Sequence, residues 1–316
     1  QYFRKVLNIN YKTVFSYDVA SLIPPRFSDE VKTIINLIKG LSPEKVGGDL
    51  LGTIFHDLIP FEVRKKVAAF YTNVFAAELL AFLSIDKYDA KVADFAVGSG
   101  GLLVAAYRRK KSLLKEPFTQ DVHKRFVEND LLGVDVMPFA ANIAACHLAL
   151  QSPGYLTNRV KVAVWDSTDL RPGKVIPSVA ELKMVLTGQT FLDPFLTREP
   201  EEKGVVSLSE EKPEEIRLEI QDVVIMNPPF TRQERIPEEY KKVLVDRFAD
   251  EYKDYLHGQL SYYGYFILLA DRFLKDGRMA LVLPASVLSR RSSEGIRKLW
   301  ANKYIVDYII TTWERL

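Results

Sequence analysis

The residues best equipped for chemistry are Asn227-Pro228-Pro229-Phe230, directly after the apolar run Asp222-Val223-Val224-Ile225-Met226. An amide that both accepts and donates hydrogen bonds, beside a flat aromatic face, suits a planar base carrying an exocyclic amine. The β-branched run reads as a buried strand. The prolines fix φ and bias each preceding residue away from helix, so Asn227 is expected extended at the strand's carboxyl end. Open α/β sheets bind ligands at that edge. Taken alone, the same four residues would also serve as a turn that closes a strand.

A second group precedes it. Asp94-x-Ala96-x-Gly98-Ser99-Gly100-Gly101 follows the strand-like Val92-Ala93 and opens a helix from Leu102. Its glycines permit positive φ and close ligand approach, and helix amides would face an anionic group. The third glycine of a dinucleotide loop is absent, which argues against NAD. Leu131-Leu132-Gly133-Val134-Asp135 is a second strand, and its terminal acid is placed to accept hydrogen bonds from ribose hydroxyls. Val160–Val164 is a third, followed by Trp165 and Asp166.

These elements alternate as strand and helix from Lys91 onward, the pattern of a doubly wound, mostly parallel α/β sheet. The expected division is a helical N-terminal region over 1–88 and a catalytic domain over 89–316. Residues 171–221 are expected as an insertion rich in Glu and Lys. In the first region, Val31, Ile34, Ile35 and Ile38 repeat at helical spacing and Gly40 stops them. Thr72 or Asn73 can cap a helix over Phe75–Leu83. Residues 108–130 read as a solvated helix pair, and 231–257 as a loop and helix near the substrate mouth. Ser261–Leu274 reads as a helix packed on the sheet, its tyrosines having base stacking as an alternative. Arg278–Leu283 reads as the fifth strand and Tyr304–Ile310 as a last one. Arg290 and Arg291, among serines, could hold a phosphate.

Composition narrows the partners. The chain has 316 residues, 47% of them hydrophobic, and a formal charge of only +2, a weak footprint for gripping nucleic acid unaided. One cysteine excludes an internal disulfide framework and fits a reducing cytoplasm; Cys146 is expected to pack in the core. The four histidines lack metal-ligand spacing, so no metal is expected. No apolar run reaches bilayer length and no signal segment is visible, so no membrane role is expected. The ends, Gln1 and Leu316, are those expected of a piece of a longer polypeptide.

The Asn227–Phe230 tetrapeptide resembles the NPP(Y/F) motif of amino-group methyltransferases, above all DNA adenine-N6 methyltransferases. The glycine string resembles their D-P-A-C-G-S-G cofactor motif, with Phe95 and Val97 where proline and cysteine are usual. Phe70-Tyr71-Thr72 resembles the G-x-F-Y-T-P signature of type I modification subunits and related type IIG restriction-modification methylases, with Ala69 and Asn73 replacing glycine and proline. The likeness covers about residues 50–316, in an order that excludes circularly permuted members. It implies a class I, Rossmann-like S-adenosylmethionine-dependent fold. The cofactor residues it implies are Phe70, Tyr71, Thr72, Asp94, Ala96, Gly98, Ser99, Gly100, Asp135 and Asp166, with Asp166 accepting from the cofactor's adenine amine. Asn227, Pro228, Pro229 and Phe230 would be catalytic. Phe230, Trp313, Arg290 and Arg291 would face the substrate. Double-stranded DNA is the implied substrate. A target-recognition domain or specificity subunit, not visible here, and a nuclease component are the implied partners. Methylation of protein glutamine or an RNA amino group is the competing enzymatic reading. A non-catalytic DNA-binding module of a defence complex is the competing reading of another class.

Overall fold

The computed structural model describes residues 24–40, 72–155, 157, 159–177, 215–231, 234, 236–256 and 260–312. Phe70, Tyr71, Trp313 and most of the insertion lie outside these residues. The described elements run α1 (Ser28–Lys39), α2 (Val74–Ser84), β1 (Val92–Asp94), α3 (Gly101–Ser112), α4 (Gln120–Lys124), β2 (Leu131–Asp135), α5 (Pro138–Ala149) and β3 (Val162–Val164). They continue with β4 (Val175–Pro177), β5 (Glu215–Arg217), β6 (Gln221–Met226), α6 (Glu238–Tyr252), α7 (Tyr262–Phe273), β7 (Leu274–Leu281) and α8 (Glu294–Lys303).

Five strands form one sheet in the order β3-β2-β1-β6-β7, and every neighbouring pair is parallel. The doubly wound fold expected from the sequence is the one observed. Its strands alternate between two cores. Val92, Leu131, Val162, Val223 and Ile225 face α2, α3 and α5. Ala93, Leu132, Ala163, Val224 and Met226 face α6, α7 and α8. Burial on both faces explains why these strands read as continuous apolar runs, and each fully buried Val, Leu or Ile contributes about 1.5–3 kcal/mol. Chain order reverses between β1 and β6, and the crevice outside such a reversal is where open α/β sheets place ligands.

Local signals explain several boundaries. Asn73 caps α2, its side chain accepting from Phe75 N at 2.9 Å. Pro138 occupies the first turn of α5. The tyrosine-rich stretch from Tyr262 is helix α7, with Tyr263 and Tyr265 buried, so core packing is its role. Cys146 is partly buried, and burial pushes its thiol up to about 11, as suits a packing residue.

Three expectations need correction. Residues 108–130 are not a solvated pair of helices: Lys110, His123, Phe126, Val127 and Asp130 are buried. Lys110 Nζ donates to Ala90 O (2.5 Å) and to Asp130 Oδ2 (3.1 Å), which satisfies its charge away from water. Tyr304–Ile310 forms no strand; it is extended and exposed, with Ile305 91% accessible, because no described segment supplies a ladder partner. The fifth strand begins earlier than expected, at Leu274, directly after α7. The insertion's two described ends also pair, β4 antiparallel to β5, with Ile176 opposite Ile216.

His123 makes a pH prediction. Its Nδ1 meets Tyr107 Oη at 2.7 Å, its Nε2 is buried without a partner, and Tyr107, Phe118 and Tyr155 surround the ring. Burial first, and the Lys111 charge second, push its pKa down to about 4. The fold thus favours the neutral ring. That contribution is complete above the unfolded value near 6.5 and is lost as pH falls towards 4, by up to about 3 kcal/mol. Urea midpoints measured from pH 7 to 4 should fall along this profile. His123→Gln should flatten it, and an unchanged slope would place the titration elsewhere.

Candidate active site

The site is built at the carboxyl edges of β1, β2 and β6. After β1 the chain turns through Gly98 (φ 52°) and Gly100 (φ 88°), left-handed positions that side chains rarely adopt. Gly100 must also stay small, because a Cβ there would come within 3.0 Å of Ala144 Cα on α5. The turn is fixed from several directions. Gly100 N donates to Val97 O (2.8 Å) and Val97 N to Val134 O (3.0 Å). His147 Nδ1, on α5, donates to Ser99 O at 3.1 Å. The result is a rigid cradle whose backbone runs into the N-terminus of α3.

Asp135 joins this cradle to the second strand. Its Oδ2 accepts from Gly98 N (2.9 Å) and its Oδ1 from Met137 N (2.8 Å). Each oxygen keeps a further acceptor position, as a ribose diol would require. Burial raises its carboxyl above the ordinary range, opposed by the amides of Met137, Gly98 and Val136. Asp94 is fully buried at the end of β1. Its Oδ1 accepts from Ala96 N (3.0 Å), and its Oδ2 has no partner among the described residues. Burial pushes Asp94 up to about 8, with the Ala96 amide opposing and Asp135 adding repulsion. Burial thus favours the neutral carboxyl, and a cation arriving at Oδ2 would restore the carboxylate.

Asn227 stands at the end of β6, next to β1. Its Nδ2 donates to Thr72 Oγ1 at 2.9 Å, and its Oδ1 is buried without a hydrogen-bond partner among the described residues. The Thr72 contact fixes which end of the amide is anchored and which is left to accept. It brings Thr72, two residues before α2, against a residue 155 positions away. Thr72 also lines a small cleft between α2 and the start of α3, with Val74, Glu78, Gly101, Val104 and Arg108. Phe230 is half-buried and packs against the α6–α7 core.

Hydrogen bonds join Asp94 to Ala96, Asp135 to Gly98 and Asn227 to Thr72, and Thr72 shares a cleft with Gly101, the residue after Gly100. Arg290 and Arg291 are exposed on the loop after β7, which leaves the same edge of the sheet, and neither has an ion-pair partner among the described residues. Trp165 packs on the core and donates from Nε1 to Asp169 Oδ2 (3.1 Å). Asp166, expected at the cofactor's adenine, is hydrogen-bonded within the chain. Its Oδ1 accepts from Thr168 N (3.1 Å) and Thr168 Oγ1 (2.8 Å). Its Oδ2 accepts from Tyr240 Oη (2.9 Å) and Arg247 Nη1 (2.5 Å). All four of these donors come from within the chain. Sequence reading missed His147, Tyr240 and Arg247. The available signal was the spacing of Tyr240 and Arg247, which puts both on one face of a helix.

Residues 129–315 match the family model described as Eco57I restriction-modification methylase. Among solved structures, a modification subunit of a putative type I restriction enzyme from Vibrio vulnificus YJ016 matches at TM-score 0.50 and 18% identity. That match covers 85% of this chain and 46% of that one. A type I restriction-modification methyltransferase subunit from Streptococcus thermophilus matches at TM-score 0.47 and 20% identity, covering 89% of this chain and 49% of that one. The type IIG restriction endonuclease BpuSI matches at TM-score 0.47 and 15% identity, covering 73% and 22%. The chain thus spans less than half the length of each, and at 18% identity the Vibrio likeness speaks to fold alone. None of the curated proteins matches.

Proposed function

The chain belongs to the Eco57I restriction-modification methylase family, and from that premise we propose that it transfers a methyl group from S-adenosylmethionine to the N6 amine of adenine in double-stranded DNA. The observation that carries this reading is the Asn227 amide, anchored through Nδ2 to Thr72 and presenting a buried, unpartnered Oδ1. The residues present fit the cofactor. The cradle from Gly98 to Gly100 and the start of α3 would hold its methionine end. Asp94 Oδ2 would take the ammonium, and Asp135 the ribose hydroxyls.

When bound, S-adenosylmethionine supplies a methyl carbon made electrophilic by its sulfonium. An adenine amine is a weak nucleophile, because its lone pair is delocalised into the ring. Asn227 Oδ1 and the Pro228 carbonyl would accept its two N–H bonds and favour a tetrahedral nitrogen. The methyl would arrive on nitrogen while the electron pair of its former S–C bond stayed on sulfur. The positive charge then growing on nitrogen is stabilised by these preorganised acceptors. The amine becomes acidic once methylated and loses one proton to water, so neither acceptor needs to be a strong base. Phe230 would stack on a base extruded from the duplex, since the amine cannot be reached within it. Arg290 and Arg291 would steady the backbone through phosphate contacts. Recognition of a sequence would fall to a target-recognition domain or specificity subunit, with a nuclease component as a further partner. No described helix is long and apolar enough to cross a membrane.

The deciding experiment offers labelled S-adenosylmethionine to DNA, RNA and protein and identifies the product. N6-methyladenine in DNA supports the proposal; label only in RNA or protein overturns it. The Thr72 anchor has its own expected outcome. Thr72→Val should slow transfer about tenfold by freeing the amide to rotate, whereas Thr72→Ser should retain most of the rate. Equal rates for the valine variant and the unmodified protein in single-turnover assays would remove Thr72 from the positioning of Asn227.

A further inference from the structure

The four donors on Asp166 connect two parts of the site that are distant in sequence. Tyr240 and Arg247 lie on α6, which follows the Asn227–Phe230 segment. Arg247 Nη1 donates to Asp166 Oδ2 (2.5 Å) and to Thr168 Oγ1 (2.6 Å). Tyr240 Oη donates to the same Asp166 oxygen (2.9 Å) and lies 3.3 Å from Tyr262 Oη. Tyr262 N, at the start of α7, donates to Thr231 O at 3.3 Å. Thr231 is the residue after Phe230. A continuous polar chain therefore runs from the end of β3, through α6 and α7, to the backbone beside Phe230.

The proton directions along this chain are consistent. Asp166 only accepts, Tyr240 gives its proton to Asp166, and Tyr262 gives its own to Tyr240. Burial holds both phenols protonated, with Tyr240 pushed up to about 12 and Tyr262 well above the usual phenol range. Arg247 supplies a charge partner inside a partly buried network, where a hydrogen bond to a charged group is worth about 1.5–3 kcal/mol. The network is satisfied without any cofactor atom. A network completed in this way rigidifies the elements it joins.

We propose that Arg247 and Tyr240 are positioning residues: they clamp Asp166 and, through Tyr262, hold the Phe230–Thr231 backbone in place for the target base. Asp166 then serves the target side of the site and does not read the cofactor's adenine. The effect on turnover rests on the methyltransferase reading above. The effect on the Phe230–Thr231 backbone does not.

The test uses the full-length protein and the variants Tyr240→Phe, Asp166→Asn, Arg247→Ala and Arg247→Lys. Tyr240→Phe removes one hydroxyl and preserves the ring. It should raise hydrogen exchange at the Tyr262 amide, the donor to Thr231 O, and lower kcat about tenfold. Its Kd for S-adenosylmethionine by calorimetry should be unchanged. Asp166→Asn should likewise leave cofactor affinity unchanged. Arg247→Lys, which keeps a charged donor, should recover part of the rate lost in Arg247→Ala. Unchanged exchange at the Tyr262 amide in Tyr240→Phe overturns the clamp. So does a cofactor affinity weakened about tenfold or more in Asp166→Asn, the loss expected when a ligand hydrogen bond is removed. Failure of the unmodified protein to methylate DNA counts against the methyltransferase reading alone, because the exchange comparison needs no catalysis.

Discussion

Asn227→Ala is expected to lower kcat for adenine methylation by about 10²–10³-fold, the cost typical of deleting one preorganised hydrogen-bonding group from a charge-stabilising site. Cofactor affinity should be almost unchanged, because Asn227 is bonded to Thr72 and not to the glycine cradle. The size of the effect follows from the state of Oδ1. A buried acceptor with no partner already carries its desolvation cost, so a donor arriving there gains nearly the whole interaction. It gains more as charge develops on the nitrogen, and only that increment accelerates the reaction. The loss should therefore fall on kcat, with KM for the cofactor little altered. Single-turnover transfer at saturating S-adenosylmethionine, with calorimetry beside it, separates the two. Near-normal turnover in Asn227→Ala would reject the assignment of Oδ1 as the amine's acceptor.

The parts of the fold that were legible beforehand are those set by local pattern. Leu131–Asp135 was read with the bounds it has, because an apolar run buried on both faces ends abruptly in a carboxylate. The glycine turn was legible because positive φ restricts residue choice. Contacts made across long sequence distances were not. The Thr72–Asn227 bond joins two segments that were each read as functional, but nothing in their spacing announced the contact between them. Two of Asp166's donors come from residues 74 and 81 positions further on, so its four acceptor positions looked open in sequence. Lys110 and His123 sit in a stretch whose charge suggested a solvated surface, and their burial depends on neighbours from elsewhere. β4 and β5 form a ladder only because the ends of an insertion meet. Tyr304–Ile310 has strand-like composition, yet a strand exists only as one member of a pair.

Asp135→Ala should have the opposite signature to Asn227→Ala: a cofactor affinity weakened by about 10²-fold, close to 3 kcal/mol, with turnover at saturating cofactor largely retained. Two losses combine. The ribose hydroxyls would lose their anionic acceptor, and hydrogen bonds to a charged group are worth about twice neutral ones. Gly98 N and Met137 N would also lose the carboxylate that joins the glycine turn to the start of the next helix. Gly98 is held at φ 52°, a conformation available to glycine whether or not the tether is present, so the freed turn would sample others before binding. Part of the loss is therefore the cost of ordering the cradle. Asp135→Asn separates the two contributions. Its single oxygen can still accept from one amide, while its NH2 presents donors where the ribose also presents donors, so affinity should fall nearly as far although the turn keeps one tether. Calorimetry of both variants measures this directly. Unchanged affinity in Asp135→Ala would exclude the carboxylate from the cofactor site.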